Sequence, residues 1–384
     1  MGRILVLFVA LAALFPKSAL AYPWMVHHGY TGCAECHVDP SGAGTLTDYG
    51  RAQSEIFLRT HWTKDGPKEP EATSSFGFGA FELPKPLKLQ ADLRSIFIPI
   101  PNDPRFILMQ ADLRAAIYTK KFSASASLGA VSDGAQGAWL SSNPDGFNLV
   151  AREYWAGYSP TKGLQIRAGR MNLPFGIRTE DHILYVRSAT NTNINDDQQV
   201  GLSVGFSRKK IRTELMGIAG NFQVAPDDFR KRGYAGYFAY AITRDLEVGV
   251  SSMFTRSGLD VETLSPRTQM AHGLMVRGAP VKALAIMAEA DVLIDNDDGE
   301  RSLGVVATTV LDLEPTQGVH VMGIGDFCSR DLGGGEPVYR AGGAVQWFFA
   351  TRMDLRVDGG YGVLSCSPGS DPNPYGLLQA HFFL

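Results

Sequence analysis

From about Pro86 to Leu384 the chain alternates apolar and polar positions in stretches of roughly ten residues. LKLQADLRSIFIP, RFILMQADLRAAIYT, IRTELMGIAG, LEVGVSSMFT and MDLRVDGGYG are examples. Side chains two apart on a strand share a face. Gln90, Asp92 and Arg94 therefore share one face, as do Gln110, Asp112 and Arg114, and again Asp354, Arg356 and Asp358, while Glu289 and Asp291 add inward acids. The opposite faces carry Leu, Ile, Val and aromatic residues. The period of two predicts strands, each with one wet face and one apolar face.

The connections alternate as well. Short turns are expected at Thr119–Lys121, Ser159–Lys162, Ser207–Lys210, Thr243–Asp245, Ala279–Lys282, Glu314–Gln317 and Ala350–Arg352. Longer polar loops are expected near 98–104, 132–147, 172–198, 221–232, 256–267, 294–302, 328–337 and 363–375. Together they separate sixteen strands. The expected fold is all-β: a 16-stranded antiparallel transmembrane β-barrel with short turns on the periplasmic side and long loops outside. A soluble β-sandwich would bear the same alternation, but the regular exchange of short turns and long loops favours a barrel. A strand near Phe76–Phe81 would break the parity and is assigned to a linker.

Composition adds compartment and class. Residues 1–21 combine Arg3, an apolar run from Ile4 to Phe15 and a small-x-small site at Ala19–Ala21, which reads as an export signal. Its removal takes away Arg3 and Lys17 and lowers the formal charge from −3 to −5, which gives no reason to expect a nucleic-acid partner. No later run of apolar residues is long enough for a spanning helix. The expected divisions are 1–21 signal, 22–64 a compact motif-bearing domain, 65–85 a Pro/Gly/Ser/Glu-rich linker and 86–384 the barrel.

The chemistry is concentrated in TGCAECHVDP, which contains C-x-x-C-H at Cys33, Cys36 and His37. Two thiols at this spacing can form thioethers to a macrocycle whose iron the adjacent His ligates. A redox dithiol, half a zinc site or a local disulfide are the alternatives, but no second CxxC completes a zinc site. The expected cofactor is one covalent haem c, with His37 as proximal iron ligand and Met25, His27, His28 or His61 as distal candidates. A helix is expected over Asp48–Arg59. Cys328 and Cys366 fall in the seventh and eighth long loops, spatial neighbours in an oxidising compartment, and are expected to form a disulfide. The acidic run Asp295–Glu300 lacks EF-hand spacing and reads as a solvated loop. No catalytic residues are assigned.

CAECHVDPSGAGTLTDYGR, with Pro40, Leu46, Tyr49, Gly50 and Arg51 after the haem motif, resembles the fused monohaem cytochrome c–porins of the bacterial outer membrane, of which the iron-oxidising outer-membrane cytochromes are the best-known members. Tyr49 stands where that type usually has Phe, the spacing differs, and AQSEIFL follows the Arg, so a sister group with another donor or acceptor fits the pattern. RAGRMNLPFGIRTEDH (167–182) resembles segments of specific-porin families. The resemblance implies an outer-membrane electron-transfer protein, an Fe(II):cytochrome oxidoreductase if iron is the donor. Its partners would be outer-membrane lipid, a periplasmic electron carrier and an external one-electron donor or acceptor, with the oligomeric state open. The second expectation is a diffusion porin whose haem segment is a plug or sensor; a soluble periplasmic cytochrome is the third.

Overall fold

The computed structural model describes residues 22–384, except 31, 43, 63–74, 78–79, 101–102, 133, 144–145, 182, 262 and 368. The expected signal and most of the linker lie outside the described residues. The strands are β1 Leu87–Ile98, β2 Arg105–Tyr118, β3 Phe122–Val131, β4 Asn148–Val150 resuming as Tyr154–Thr161, β5 Leu164–Met171, β6 Gln199–Arg208, β7 Ile211–Gly220 and β8 Arg232–Ala241. They continue as β9 Leu246–Ser257, β10 Arg267–Val281, β11 Leu284–Asp297, β12 Glu300–Thr316, β13 Val319–Ser329, β14 Val338–Ala350, β15 Met353–Gly362 and β16 Asn373–Phe383. Each pairs antiparallel with its neighbours, and β16 returns to β1 (His381 opposite Arg94, Leu378 opposite Phe97), so the barrel is closed and leaves no edge. Phe76 and Phe81 pair with each other in a two-residue ladder outside the barrel, which preserves the sixteen-strand parity.

One expected loop is a turn. Strands β11 and β12 run on through 294–302 until Asp297 faces Glu300, and the connection is Asp298-Gly299 alone, with φ +48° and +91°. Asp-Gly suits a two-residue hairpin that needs positive φ at both positions. Strand β4 carries the opposite surprise. Its two parts both pair with β3, and at the break the amides of Arg152 and Glu153 both donate to Ser127 Oγ (3.0 and 2.9 Å). Two residues thus oppose one, as in a bulge, and two consecutive side chains turn inward.

Alternate residues face out and in. Leu113, Leu128, Leu215, Leu274 and Val357 are exposed on the outside, where a bilayer would cover them. Among the described residues no helix is long and apolar enough to cross a membrane. The inward face is split. On β1, β2, β4, β5 and β7 it is charged, as the alternation predicts. On β10–β14 it is mixed: Met275, Met287, Val306, Val310, Met322, Ile324 and Phe348 are buried among inward charges, Arg277, Glu289, Asp291, Asp312, His320, Asp326 and Arg340.

The lumen is filled by two parts of the chain. A 3₁₀ turn, Pro23–His28, packs Trp24, Met25 and Val26 onto these apolar residues of the wall. Helix α1, Asp48–Gln53, is capped by Thr47, whose Oγ1 accepts the Gly50 amide at 3.1 Å, and winds on as a π-turn to Leu58. The 172–198 connection folds inward and carries helix α2, Tyr185–Thr190. The Tyr185 hydroxyl donates to the Val363 carbonyl at 2.6 Å, and Arg187 pairs with Glu289. The 22–62 segment is therefore no separate domain beside the barrel but its inner filling. It is tied to the wall by Arg167–Asp39 (2.5 Å), Lys88–Asp48 (2.8 Å) and Arg352–Glu55 (2.8 Å). On the long-loop side Cys328, at the end of β13 rather than in a loop, is joined to Cys366 in the next long connection, Cα atoms 5.8 Å apart.

Leu274 lies midway along β10 on the outer face. Leu274→Arg is expected to cost about 2–4 kcal/mol of barrel stability, read by denaturant titration in lipid vesicles. Asp39→Asn removes a charged partner from Arg167 and is expected to weaken docking of the luminal segment by about 2 kcal/mol, seen as faster protease cleavage of residues 22–62 while the barrel stays resistant.

Candidate functional site

Cys33 to His37 form a single turn, with the amides of Cys36 and His37 both donating to the Cys33 carbonyl (3.1 and 3.0 Å). The chain then returns on itself. Val38 donates to Thr45 (2.9 Å), Thr47 donates to Cys36 (2.8 Å), and His37 bridges Leu46. Helix α1 packs directly on this turn at Gly50, where a Cβ would stand 2.2 Å from the Cys36 carbonyl oxygen. Gly42 is the second close approach. Its φ is +85°, and a Cβ there would meet Cys33 Sγ at 3.0 Å.

Cys33, Cys36 and His37 open together onto a cavity of about 160 Å³ that is partly continuous with solvent. Three parts of the chain wall it. The luminal segment adds Tyr22, Met25, Leu46 and Leu58; the barrel adds Arg94, Arg114, Arg152, Glu153 and His381; the inward loop adds Asn172, Arg178, Glu180 and Asn195. The bulge in β4 delivers both Arg152 and Glu153 to this wall, and Arg152 is held by Asp112 (2.5 Å) and the Asn195 carbonyl (3.0 Å). Arg114 is shared between Asp92 (3.3 Å) and Asp112 (3.1 Å). Arg178 differs from these. None of its guanidinium nitrogens makes a hydrogen bond to a described residue, and its nearest acid, Glu214, stands off at 3.6 Å.

The His37 Nδ1–H group donates to the Gly44 carbonyl (3.4 Å), which orients the ring. Cys33 and Cys36 are not bonded to each other. Burial, with Glu35 adding to it, pushes the Cys36 thiol up to about 12. Two unbonded thiols and the adjacent imidazole opening onto one cavity form a donor set that fits covalent attachment of a macrocycle. Of the distal candidates, Met25 lies in the cavity wall. His27 and His28 turn to Glu314 (3.2 and 3.5 Å), and His61 Nε2 meets Gln317 (3.1 Å); none of the three lines the cavity.

Residue patterns did not single out Arg178, the bulge pair Arg152–Glu153 or Glu180. The only local signal was the broken alternation at Arg152-Glu153, where two charged residues stand side by side in a strand.

No protein-family model matches the sequence, and no curated protein does. Solved structures do resemble the fold. A loop-L8 deletion form of OmpT, an outer-membrane protein of Vibrio cholerae, aligns with a TM-score of 0.61 at 11% identity over 78% of this chain and 99% of its own. The outer-membrane channel DcaP of Acinetobacter baumannii aligns at 0.56 and 9% identity over 78% and 97%. An anion-selective porin from Comamonas acidovorans aligns at 0.55 and 11% identity over 77% and 98%. The likeness covers a share of the chain equal in size to the barrel, and at these identities it establishes the architecture: a closed sixteen-stranded barrel of the outer-membrane porin type.

Proposed function

We propose that this chain is a bacterial outer-membrane electron-transfer protein that holds one covalent c-type haem inside its barrel, through Cys33, Cys36 and His37. One observation carries the reading: the C-x-x-C-H turn opens onto a cavity lined by the barrel wall and the inward loop. A haem bound there supplies one-electron redox chemistry. The chain's own residues supply the rest. His37 is oriented through its Nδ1–H bond to Gly44, and Met25 is the distal candidate already in the wall. A thioether ligand holds a haem at higher potential than a second imidazole does. Arg178 and Arg114 offer positive charge to the acidic edge of a macrocycle, and Arg178 has donors to spare.

The luminal segment and the 172–198 loop narrow any water path and lower the local dielectric, which strengthens every charge interaction in the cavity. An external one-electron donor, Fe(II) among the candidates, would approach from the long-loop end, and a periplasmic carrier would exchange electrons at the short-turn end. Oxidation of iron would make the protein an Fe(II):cytochrome oxidoreductase; another donor would leave it an electron carrier.

The likeness to porins favours a second reading, a diffusion porin in which the luminal segment is a plug or sensor. The two part in a vesicle experiment. Electron transfer predicts that Fe(II), or another impermeant reductant, added outside anaerobic proteoliposomes yields reduced c-type bands, while solute-driven swelling stays slow. Free swelling indifferent to haem oxidation state would instead support the porin.

Three variants accompany it. Cys33→Ala with Cys36→Ala is expected to abolish covalently retained haem on denaturing gels; retention would refute the attachment. Met25→Ala is expected to keep the haem attached and lower its midpoint potential in a redox titration. Gly50→Ala forces a Cβ into the Cys36 carbonyl, an overpacking cost of about 2 kcal/mol, and is expected to reduce the fraction of chains carrying haem, measured by the haem-to-protein absorbance ratio.

A further inference from the structure

Where the luminal segment meets the wall near the short-turn end, three imidazoles surround one carboxylate. His27 and His28 come from the 3₁₀ turn, Glu314 from the end of β12, and His320 from the start of β13. Glu314 Oε2 lies 3.2 Å from His27 Nε2 and 3.5 Å from His28 Nε2. The three ligand atoms of this triad lie within 4.8 Å of one another. His320 Nε2 approaches the other carboxylate oxygen at 3.9 Å.

His27 and His320 are buried, with side-chain exposures of 0% and 1%, while Glu314 (9%) and His28 (22%) are partly exposed. Yet both ring nitrogens of His27, and Nε2 of His28 and of His320, make no well-directed hydrogen bond to any described residue. A buried polar atom left so costs about 1–3 kcal/mol, and native structures tolerate few. Four in one cluster call for something that takes lone pairs.

The spacing names it. Four ligands at 2.0–2.1 Å from a tetrahedral ion lie about 3.3 Å apart, between the two Glu314 separations. The surroundings are those of a metal site too. His320 Nδ1 donates to Asp312 Oδ1 at 2.9 Å, which turns its Nε2 lone pair toward Glu314. The Gly318 amide donates to Glu314 Oε1 at 3.0 Å, which leaves Oε2 to the two imidazoles of the luminal segment.

We infer that His27, His28 and Glu314 bind a divalent first-row transition-metal ion, with His320 as the third imidazole beside it. The imidazole-rich donor set selects zinc, copper, nickel or ferrous iron over calcium and magnesium. Because His27 and His28 belong to the luminal segment and Glu314 and His320 to the wall, the ion fastens the one to the other. The site stands apart from the cavity and does not depend on the haem.

The test uses the full chain in detergent, stripped with a chelator, then equilibrated with Zn²⁺ alone. Bound zinc is counted by elemental analysis, so that haem iron is scored separately. The expected result is about one Zn²⁺ per wild-type chain, with affinity at least tenfold weaker in His28→Gln and in Glu314→Gln and unchanged in His61→Gln. Zinc is also expected to slow protease cleavage of residues 22–62 in the wild type. Wild type that takes up no stoichiometric zinc overturns the inference, and so does equal affinity in all four proteins. If the Glu314 variant fails to fold, the variant at His28, the most exposed member of the cluster, and the wild-type stoichiometry decide.

Discussion

Sixteen strands enclose a lumen wider than their own side chains can close, and in this chain the space is filled by the protein itself. The filling has to match the wall chemically at every contact, since a polar group buried without a partner is costly. This constraint accounts for the split inner face. Trp24, Met25 and Val26 lie against methionines and branched residues of β10–β13, whereas Asp39, Asp48 and Glu55 lie against Arg167, Lys88 and Arg352. A lumen charged all round, as in an open aqueous pore, would leave the apolar turn nothing to pack on.

The ion pairs set position more than they supply stability. A buried charge pair gains little net free energy over apolar packing, but removing one member leaves an isolated charge. Arg167 sits between Asp39 of the luminal segment and Glu214 of β7 (2.5 Å each) and so pins the loop that follows His37 to one place on the wall. The same pinning fixes where the Cys33–His37 turn faces. Helix α1, pressed on Cys36 at Gly50, holds it from the other side. The cavity is what these two anchors leave between segment, wall and inward loop.

The 3₁₀ turn from Pro23 to His28 links the two sites. Met25 faces the cavity while His27 and His28 face Glu314, all within six residues. Whatever holds the two imidazoles to the wall therefore also holds Met25. A short helical turn cannot move one of these side chains far without moving the others, because its backbone hydrogen bonds leave few free dihedrals.

Strand identity, the inward set Gln90, Asp92, Arg94, Gln110, Asp112 and Arg114, and the positions of the short turns were legible in the sequence, because a period of two and turn chemistry are local properties. The C-x-x-C-H spacing of Cys33, Cys36 and His37 is local in the same way, since it lies within one turn. The hairpin at Asp298-Gly299 was open to reading but was taken as part of a loop, since acidic residues crowd around it. The tertiary structure alone decided what fills the barrel. The apolar residues on the inner face of β10–β14 that meet the luminal turn, the bulge that brings Arg152 and Glu153 inward, the place of Met25 in the cavity wall, and the meeting of His27, His28, Glu314 and His320 all join residues far apart along the chain. Such contacts depend on how a closed barrel and its filling divide one volume, and no short window of sequence encodes that division.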